Sequence, residues 1–317
     1  MKRSAWLAGA LLVAGAGLGA WYWRAARAPQ VAGVAVAGGD AGGLPRATPA
    51  EEGFEAAALQ AAVERAMQDG AQAVLISHHG HLVVERYAHG VDAHSTVQSD
   101  EMARLVLTLA AGTLRPAPPS AIEPGFDADQ LAARVATDAR ADYAVYLSRT
   151  IWQPVNAAPA RLLWSSDGAG GAPALHPGCC FEARISDWLR VAALLLDDGS
   201  FEGTQVLPKG WAEQLTRANP TDPGRGAAVW LASSASGSEP FAIDGVSFLR
   251  GRGRTHLWMV PRLDLAIVLI GAPAPGGAVA SGAVREDETR MPNAIIRALG
   301  VLPGAGGARL GDVVPGH

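Results

Sequence analysis

Apolar residues along the chain follow two patterns: short runs that predict β-strands, and a three-to-four-residue spacing that predicts helices. Two β-rich runs, 73–77 and 82–87, flank a turn that contains Gly80 and predict a hairpin. Pro261-Arg262 joins two further runs, which predict a second hairpin near the carboxyl end. The strand-like runs in that half of the chain are 227–232, 241–249, 254–260 and 263–271.

The helical pattern appears before, between and after these runs. The first helix is predicted to begin at Thr48-Pro49-Ala50-Glu51, where a capping hydroxyl precedes a proline and an early carboxylate. A second helix is predicted from Asp100 through Leu109. Further helices are predicted at 127–137, 139–152, 182–196 and 292–299, with a Pro-rich loop at 112–126.

The order of these elements indicates the fold class. A helix and a hairpin come first, helices follow, and antiparallel strands and a closing helix end the chain. Terminal helices of this kind can pack on one antiparallel sheet while the middle helices form a second lobe. The sequence therefore predicts an α+β fold, an antiparallel β-sheet flanked by terminal helices with a helical lobe beside it.

The amino-terminal segment decides the predicted compartment. A basic start precedes the uncharged run 6–23, which as a helix would be about 27 Å long and could just span a bilayer. Trp21-Tyr22-Trp23-Arg24 at its far end is typical of a membrane–water boundary. We therefore predict that residues 1–27 anchor the chain in the inner membrane as a single-pass helix, with the domain in the periplasm. The alternative is a cleaved signal peptide, with Leu18-Gly19-Ala20 as the cleavage site.

Composition divides the rest of the chain into three parts. Residues 28–47 are rich in Ala, Gly, Val and Pro and nearly uncharged, which predicts a flexible tether. Residues 48–300 contain the periodic segments and form the predicted domain, and the Gly-rich residues 301–317 are predicted to be a loose tail.

Charge and cysteine content exclude several classes of function. The chain has 317 residues and a formal net charge of −4, so it offers no basic surface for nucleic acid. No phosphate-binding loop or His-Glu-x-x-His motif is present, and no cofactor is predicted. Cys179 and Cys180 could form a vicinal disulfide, but two reduced, buried residues are the preferred interpretation.

Three histidines at the first hairpin raise the question of a metal site. His78, His79 and His81 lie at its turn, where alternating side chains point to opposite faces of the strands. The neighbouring sequence supplies no carboxylate to complete a ligand set. A solvent-facing turn without a metal is therefore predicted.

Several sequence segments resemble segments that occur in the same order in the family of serine β-lactamases and penicillin-binding-protein-like hydrolases. The similarity is greatest to the branch with class C β-lactamases, esterases and 6-aminohexanoate-dimer hydrolases. The segment 179–211, with its Arg-Asp helix and "VLPKGW", is the most similar part of the chain to that family. The other matching segments are 73–90, 150–157, 257–271 and 291–299.

The resemblance implies three catalytic parts, and none is intact here. In the family a Ser-x-x-Lys on one helical turn supplies the nucleophile and its base. The matching positions read Glu101-Met102-Ala103-Arg104, and an arginine cannot act as a base because its pKa exceeds about 12. At i and i+3 of a helix, Glu101 and Arg104 are predicted to form an ion pair.

The other two parts are missing or altered. The family's Tyr-x-Asn lies on a helical lobe, but only 47 residues separate Arg104 from Trp152, so this lobe is predicted to be reduced. The family's Lys/His-x-Gly strand edge falls near 251–255. Arg252 and Arg254 there could attract an anion, although a charged, solvated sheet edge is the simpler interpretation.

Two hypotheses about function follow. The first is a catalytically inactive pseudoenzyme, tethered to the membrane in the periplasm, with a binding or scaffold role for an unidentified ligand or protein partner. The second is a residual serine hydrolase that acts on an ester, amide or β-lactam through a non-standard nucleophile such as Ser99 or Ser166.

Overall fold

A six-stranded antiparallel sheet lies at the centre of the fold. The computed structural model describes residues 33–99, 101–114, 126–165, 174–251, 254–271 and 287–300. The strand order of this main sheet is β10-β11-β12-β13-β2-β3. Its strands are β2 (Ala71–His78), β3 (His81–Tyr87), β10 (Trp230–Leu231), β11 (Ser247–Arg250), β12 (His256–Val260) and β13 (Leu265–Gly271).

A smaller sheet lies beside it. Its strand order is β1-β5-β7-β4, and β6 pairs with the outer part of β5. The pairings β4 with β7 and β5 with β7 are antiparallel. The strands are β1 (Gly33–Val36), β4 (Thr96–Ser99), β5 (Ala160–Ser165), β6 (Ala174–Leu175) and β7 (Phe181–Arg184), and a separate short hairpin comprises β8 (Ser200–Phe201) and β9 (Thr204–Gln205).

Helices cover both faces of the main sheet. Residues of α1 and α7 pack with one face of β13, including Leu265 and Ile267, in one hydrophobic core. Residues of α2 and α5 pack with the other face, including Ala266 and Val268, in a second core. The helices are α1 (Ala56–Gln68), α2 (Glu101–Gly112), α3 (Ala128–Ala139), α4 (Tyr143–Leu147), α5 (Asp187–Leu196), α6 (Trp211–Leu215) and α7 (Arg290–Ala298).

This arrangement confirms the predicted α+β class, with an antiparallel sheet between terminal and middle helices. Burial on both faces explains why β13 is continuously apolar, because each alternate residue enters a different core. The first hairpin is confirmed, with His78 opposite His81. The middle helices are short. Helix α4 ends at Leu147, and a five-residue π-helical segment, Ser148–Trp152, continues it.

The first helix begins later than the sequence predicts. Thr48 donates from its backbone N and its Oγ1 to Glu51 Oε2, at 2.7 and 2.8 Å, which closes a separate turn. Gly53 has a φ of 78° and ends that turn. Helix α1 then begins at Ala56, and Glu55 caps it by accepting hydrogen bonds from two backbone N–H groups.

The predicted helix 182–196 is shorter at its start. Phe181–Arg184 forms β7 instead, and its residues alternate between buried and half-buried. Strands β4 and β5 both pair with it, so its backbone hydrogen-bonding groups are used in the sheet. Helix α5 therefore begins only at Asp187.

The described part of the segment predicted as a flexible tether, residues 33–47, contacts the domain at several points. Strand β1 belongs to the smaller sheet, and Gly39 N donates to Ala157 O at 2.8 Å. Farther along, Leu82 N donates to Pro45 O at 2.7 Å. The low charge of this segment thus reflects packing against the domain rather than flexibility. The predicted anchor 1–27 and tail 301–317 lie outside the described residues.

Candidate functional site

Glu101, which the sequence comparison predicts to stand at the position of the family's nucleophile, begins α2 directly after β4. Its Oε2 accepts a hydrogen bond of 2.5 Å from the indole Nε1 of Trp230, which is 129 positions away. Arg104 turns to a different partner, and its Nη2 donates to Phe126 O at 2.5 Å. The predicted ion pair between Glu101 and Arg104 is therefore replaced by two separate contacts.

Trp230 lies between two guanidinium groups. The centre of the Arg225 guanidinium is 3.8 Å from the indole ring centroid, and that of Arg250 is 4.0 Å from it. Cations at this distance from an indole are attracted to its π face. The ring is thus held by its two faces and by its N–H bond to Glu101.

Glu288 fixes one of these arginines. Arg250 Nε donates to Glu288 Oε1 at 2.5 Å, and Arg250 Nη2 donates to Oε2 at 2.7 Å, the two-pronged geometry that suits a guanidinium and a carboxylate. His256 Nε2 lies 3.3 Å from the same carboxylate, and Ser236 N donates to it at 2.8 Å. Burial opposes ionisation of Glu288, but the hydrogen bonds from Arg250, His256 and Ser236 lower its pKa to about 2.

We call this group the Trp230 cluster; its members are Glu101, Arg225, Trp230, Arg250 and Glu288. It was not predicted, because its residues come from four separate parts of the sequence. A tryptophan or an arginine in isolation gives no signal of such an arrangement. The cluster places bulky, mutually bonded side chains beside the start of α2.

Arg104 is unsuited to proton transfer. Its guanidinium lies 4.2 Å from the centroid of the Phe126 ring. Burial lowers the pKa of Arg104, and the charge of Glu101 partly opposes that effect. A guanidinium remains charged under these conditions because its ordinary pKa is above about 12.

A shallow cleft of about 410 Å³ lies beside Arg104, and Cys179 is among its lining residues. Cys179 and Cys180 form a disulfide, so the preferred interpretation of two reduced cysteines is wrong. The pair occupies the turn before β7, where Cys179 N and Cys180 N both donate to His176 O. The sequence offers no signal that separates adjacent reduced cysteines from a bonded pair.

The alternative nucleophile Ser99 is the last residue of β4. It is fully buried, and its Oγ donates to Phe181 O at 2.7 Å. A hydroxyl in this position completes the hydrogen bonding of the β4–β7 pair and has no exposed lone pair to offer a substrate. Ser166 lies outside the described residues.

The two tyrosines of the middle helices lie away from Glu101. Tyr143 is buried in the core, and this burial raises its pKa. The Tyr146 hydroxyl shares a hydrogen bond of 2.7 Å with Thr113 Oγ1. Thr113 follows the carboxyl end of α2, about 18 Å along the helix from Glu101 at 1.5 Å per residue. Neither phenol is therefore placed to exchange protons with that end.

Arg254 lies beside the carboxyl end of α1. It has a φ of 63°, and its Nη1 donates to Asp69 O at 2.5 Å, just beyond α1. It lines a groove of about 470 Å³ between α1 and α7, together with Arg65 and Arg290. Arg252 lies outside the described residues. The structure therefore does not bring Arg254 to Glu101, and binding of an anion by Arg252 and Arg254 stays a prediction.

The histidine turn has a carboxylate partner that the sequence did not indicate. Glu52 Oε2 lies 2.9 Å from His78 Nδ1 and 3.0 Å from His79 Nδ1, and Oε1 lies 2.8 Å from His81 Nδ1. The expectation that no carboxylate completes this group is therefore wrong. Glu52 is 26 positions before His78, in the turn before α1, and only the packing of that turn on the hairpin brings them together.

Comparison with solved structures identifies the fold. A protein described as a 6-aminohexanoate-dimer hydrolase from Bacillus anthracis has a TM-score of 0.56 and 15% identity, over 77% of this chain and 87% of its own. A β-lactamase-like protein from Bacteroides dorei has a TM-score of 0.57 and 9% identity, over 78% and 99%. A β-lactamase from Mycobacterium bovis has a TM-score of 0.52 and 14% identity, over 75% and 99%.

These likenesses confirm the predicted fold. The chain has the fold seen in these β-lactamases and in the 6-aminohexanoate-dimer hydrolase. No family model and no curated protein sequence matches the chain. At this level of identity the likeness concerns the fold alone, and function depends on the site.

The predicted membrane helix has no counterpart among helices α1 to α7. Within the described ranges, no helix has the length and apolar character needed to cross a bilayer. The candidate anchor, residues 1–27, lies outside those ranges.

Proposed function

We propose that this protein is a catalytically inactive member of the β-lactamase-like fold with a binding or scaffold role. The observation that carries the proposal is the bond between Glu101 and Trp230 Nε1 at the position of the family's nucleophile. A carboxylate that accepts an indole N–H is engaged in a structural contact. The neighbouring Arg104, which replaces the family's lysine, donates to a backbone carbonyl.

The surroundings of Glu101 support the same proposal. A serine hydrolase needs a nucleophile, a base within hydrogen-bond reach and donors for the developing oxyanion. The Trp230 cluster occupies the start of α2, and Tyr146 is bonded at the opposite end of this helix. Residual hydrolysis through Ser99 is disfavoured because the hydroxyl of this residue is buried and bonded to Phe181 O.

Active-site labelling tests this proposal. The full chain is incubated with a fluorophosphonate probe and with a fluorescent penicillin, and covalent labelling is measured by intact-mass spectrometry. We expect no adduct, since the candidate nucleophile Ser99 is buried and bonded to Phe181 O. An adduct that disappears in Ser99→Ala or in Ser166→Ala would establish the alternative, a residual serine hydrolase.

We also infer that residues 1–27 hold the domain at the periplasmic face of the inner membrane. The support is the uncharged run 6–23 with aromatic residues and an arginine at its end. A net charge of −4 offers no polybasic patch, so this segment alone would provide the attachment.

Fractionation with a carbonate wash, followed by mass spectrometry of the amino terminus, tests the attachment. The full chain should stay in the membrane pellet, and deletion of residues 1–27 should release a folded, soluble domain. A soluble periplasmic form that begins near Trp21 would show that the segment is a cleaved signal peptide instead.

A further inference from the structure

The histidine turn combines three imidazoles and one carboxylate in a small volume. Glu52, His78 and His79 each offer a ligand atom, and these three atoms lie within 4.8 Å of one another. Both Nδ1 atoms face the same carboxylate oxygen, Glu52 Oε2, at 2.9 and 3.0 Å. Neutral imidazole and carboxylate are the ligands that zinc and related transition metals bind.

The backbone holds these side chains in place from two directions. His78 ends β2, and Glu52 belongs to the turn that precedes α1, where Phe54 N donates to Pro49 O at 2.8 Å. The His78 side chain is fully buried, and that of Glu52 is only 8% exposed. Two of the three candidate ligands are therefore fixed by packing rather than free on a surface, which favours a preformed site.

The backbone conformation at His79 is compatible with this arrangement. His79 and Gly80 form the hairpin turn with φ values of 47° and 75°. A two-residue turn with both φ values positive favours Asn-Gly or Gly-Gly, because most other side chains are strained there. His79 occupies this position with its Nδ1 directed at Glu52, so a histidine is present where an asparagine would suit the backbone better.

From this geometry we propose that Glu52, His78 and His79 bind a divalent transition-metal ion of the zinc type. Zn–N and Zn–O bonds of about 2.0–2.1 Å at tetrahedral angles separate the ligand atoms by about 3.3 Å. The observed separations of 2.9 and 3.0 Å require only small outward shifts of the imidazoles. The ion replaces the protons that otherwise bridge these atoms.

His81 and a neighbouring cleft complete the proposed site. His81 Nδ1 lies 2.8 Å from Glu52 Oε1, the carboxylate oxygen that does not face the other two histidines. This contact does not have the geometry of a hydrogen bond, so we assign His81 as a positioning residue through its close packing on the ligating carboxylate. His79 and His81 line a cleft of about 450 Å³, with Asp264 on its wall. Of the three proposed ligands only His79 lines this cleft, so the fourth coordination position is expected to open toward it on the His79 side and to accept water.

Zinc binding by the full chain tests this proposal. The chain is purified without a histidine tag, stripped with a chelator and dialysed against Zn²⁺, and bound metal is measured by elemental mass spectrometry. We expect one Zn²⁺ per chain and a melting temperature that rises with Zn²⁺. Replacement by Co²⁺ should give the visible absorption of a tetrahedral site.

Two variants and a matched control test the assigned roles of His79 and His81. His79→Asn keeps a residue that suits the turn, so the protein should fold, and it should lose at least about 100-fold in Zn²⁺ affinity. His81→Ala should lose about 10-fold. The matched control is His176→Ala, because His176 Nδ1 also contacts a carboxylate, that of Asp129 at 2.8 Å, and its loss should leave the affinity unchanged.

Two results would overturn the proposal. One is the absence of stoichiometric Zn²⁺ binding by the folded, stripped chain. The other is equal Zn²⁺ affinity in the parent protein and His79→Asn, which would mean that the metal binds elsewhere. Neither result depends on whether the protein hydrolyses a substrate, so the outcome is separate from the proposed loss of catalysis.

Discussion

At the scale of single residues, Glu288 links several parts of the fold. Its carboxylate is almost fully buried and accepts hydrogen bonds from the two-pronged Arg250, from Ser236 N and from His256. Arg250 in turn stacks on Trp230, whose N–H is bonded to Glu101. The charge of one buried carboxylate thus supports the cluster that occupies the start of α2.

We expect Glu288→Gln to lower the free energy of unfolding by about 3 kcal/mol at neutral pH. The pKa of Glu288 falls from 4.5 to about 2 on folding, so its ionised form stabilises the native state above pH 4.5. This contribution is lost as the pH falls from 4.5 toward about 2. The difference between parent and variant in urea unfolding should therefore shrink as the solution is made more acid.

Glu213→Gln is the matched control for this measurement. Glu213 pairs with Arg217 at 3.6 Å, but both side chains are at least 70% exposed, so the change should cost less than about 0.5 kcal/mol. If Glu288→Gln were as mild as this control, or if its effect were the same at every pH, the assigned role of Glu288 would be wrong.

At the scale of elements, the segment before α1 is part of the domain. Gly38 lies against the backbone of 157–159, and a Cβ there would be 2.4 Å from Ala157 O. Such a separation is much shorter than any normal contact, so the segment can pack this closely only with glycine. Dense packing at this position is inconsistent with a flexible tether.

Gly38→Ala should therefore destabilise the protein by about 2 kcal/mol or more, measured as the free energy of unfolding in urea. The control is Gly42→Ala in the same segment, since a Cβ there would meet nothing within 4 Å. This control should change stability by less than about 0.5 kcal/mol. Equal effects of the two substitutions would indicate that the segment is not packed as described.

At the scale of the whole molecule, the residues that the sequence comparison assigns to the catalytic motifs make separate contacts in different parts of the fold. Helix α2, which would present the nucleophile, packs in the core between the main sheet and the smaller sheet. Tyr146 is bonded to Thr113 beyond the far end of that helix, and Arg254 contacts Asp69 near α1. Restoring a serine and a lysine on α2 would therefore not move Tyr146 or Arg254 toward them.

We therefore expect that Glu101→Ser combined with Arg104→Lys restores no hydrolysis of β-lactams or short-chain esters. The pair would supply a hydroxyl and an amine, but the Tyr146 phenol is bonded to Thr113 beyond the far end of α2, and catalytic groups that act as a unit give little activity when others are missing. The measurement is acylation by penicillin, with circular dichroism to verify folding. Rapid acylation of this double variant would contradict the view that the site is dismantled.

The sequence by itself determined the elements whose pattern is local. The first hairpin followed from two β-rich runs around Gly80, and β13 followed from an unbroken apolar run. The assignment of the family's Ser-x-x-Lys to Glu101 and Arg104 also uses local sequence alone, because the motif occupies one helical turn, and it stays a prediction. Such features depend on neighbours within a few residues, and periodicity is enough to find them.

Only the tertiary structure decided which distant residues meet. Trp230 contacts Glu101, 129 positions away, because β10 packs beside the start of α2. Glu52 contacts His78, 26 positions away, because the turn before α1 packs on the first hairpin. Residues 181–184 form β7 rather than the start of a helix because β4 and β5 both pair with them. These outcomes depend on packing and hydrogen bonding between elements, which the spacing of residues along the chain does not encode.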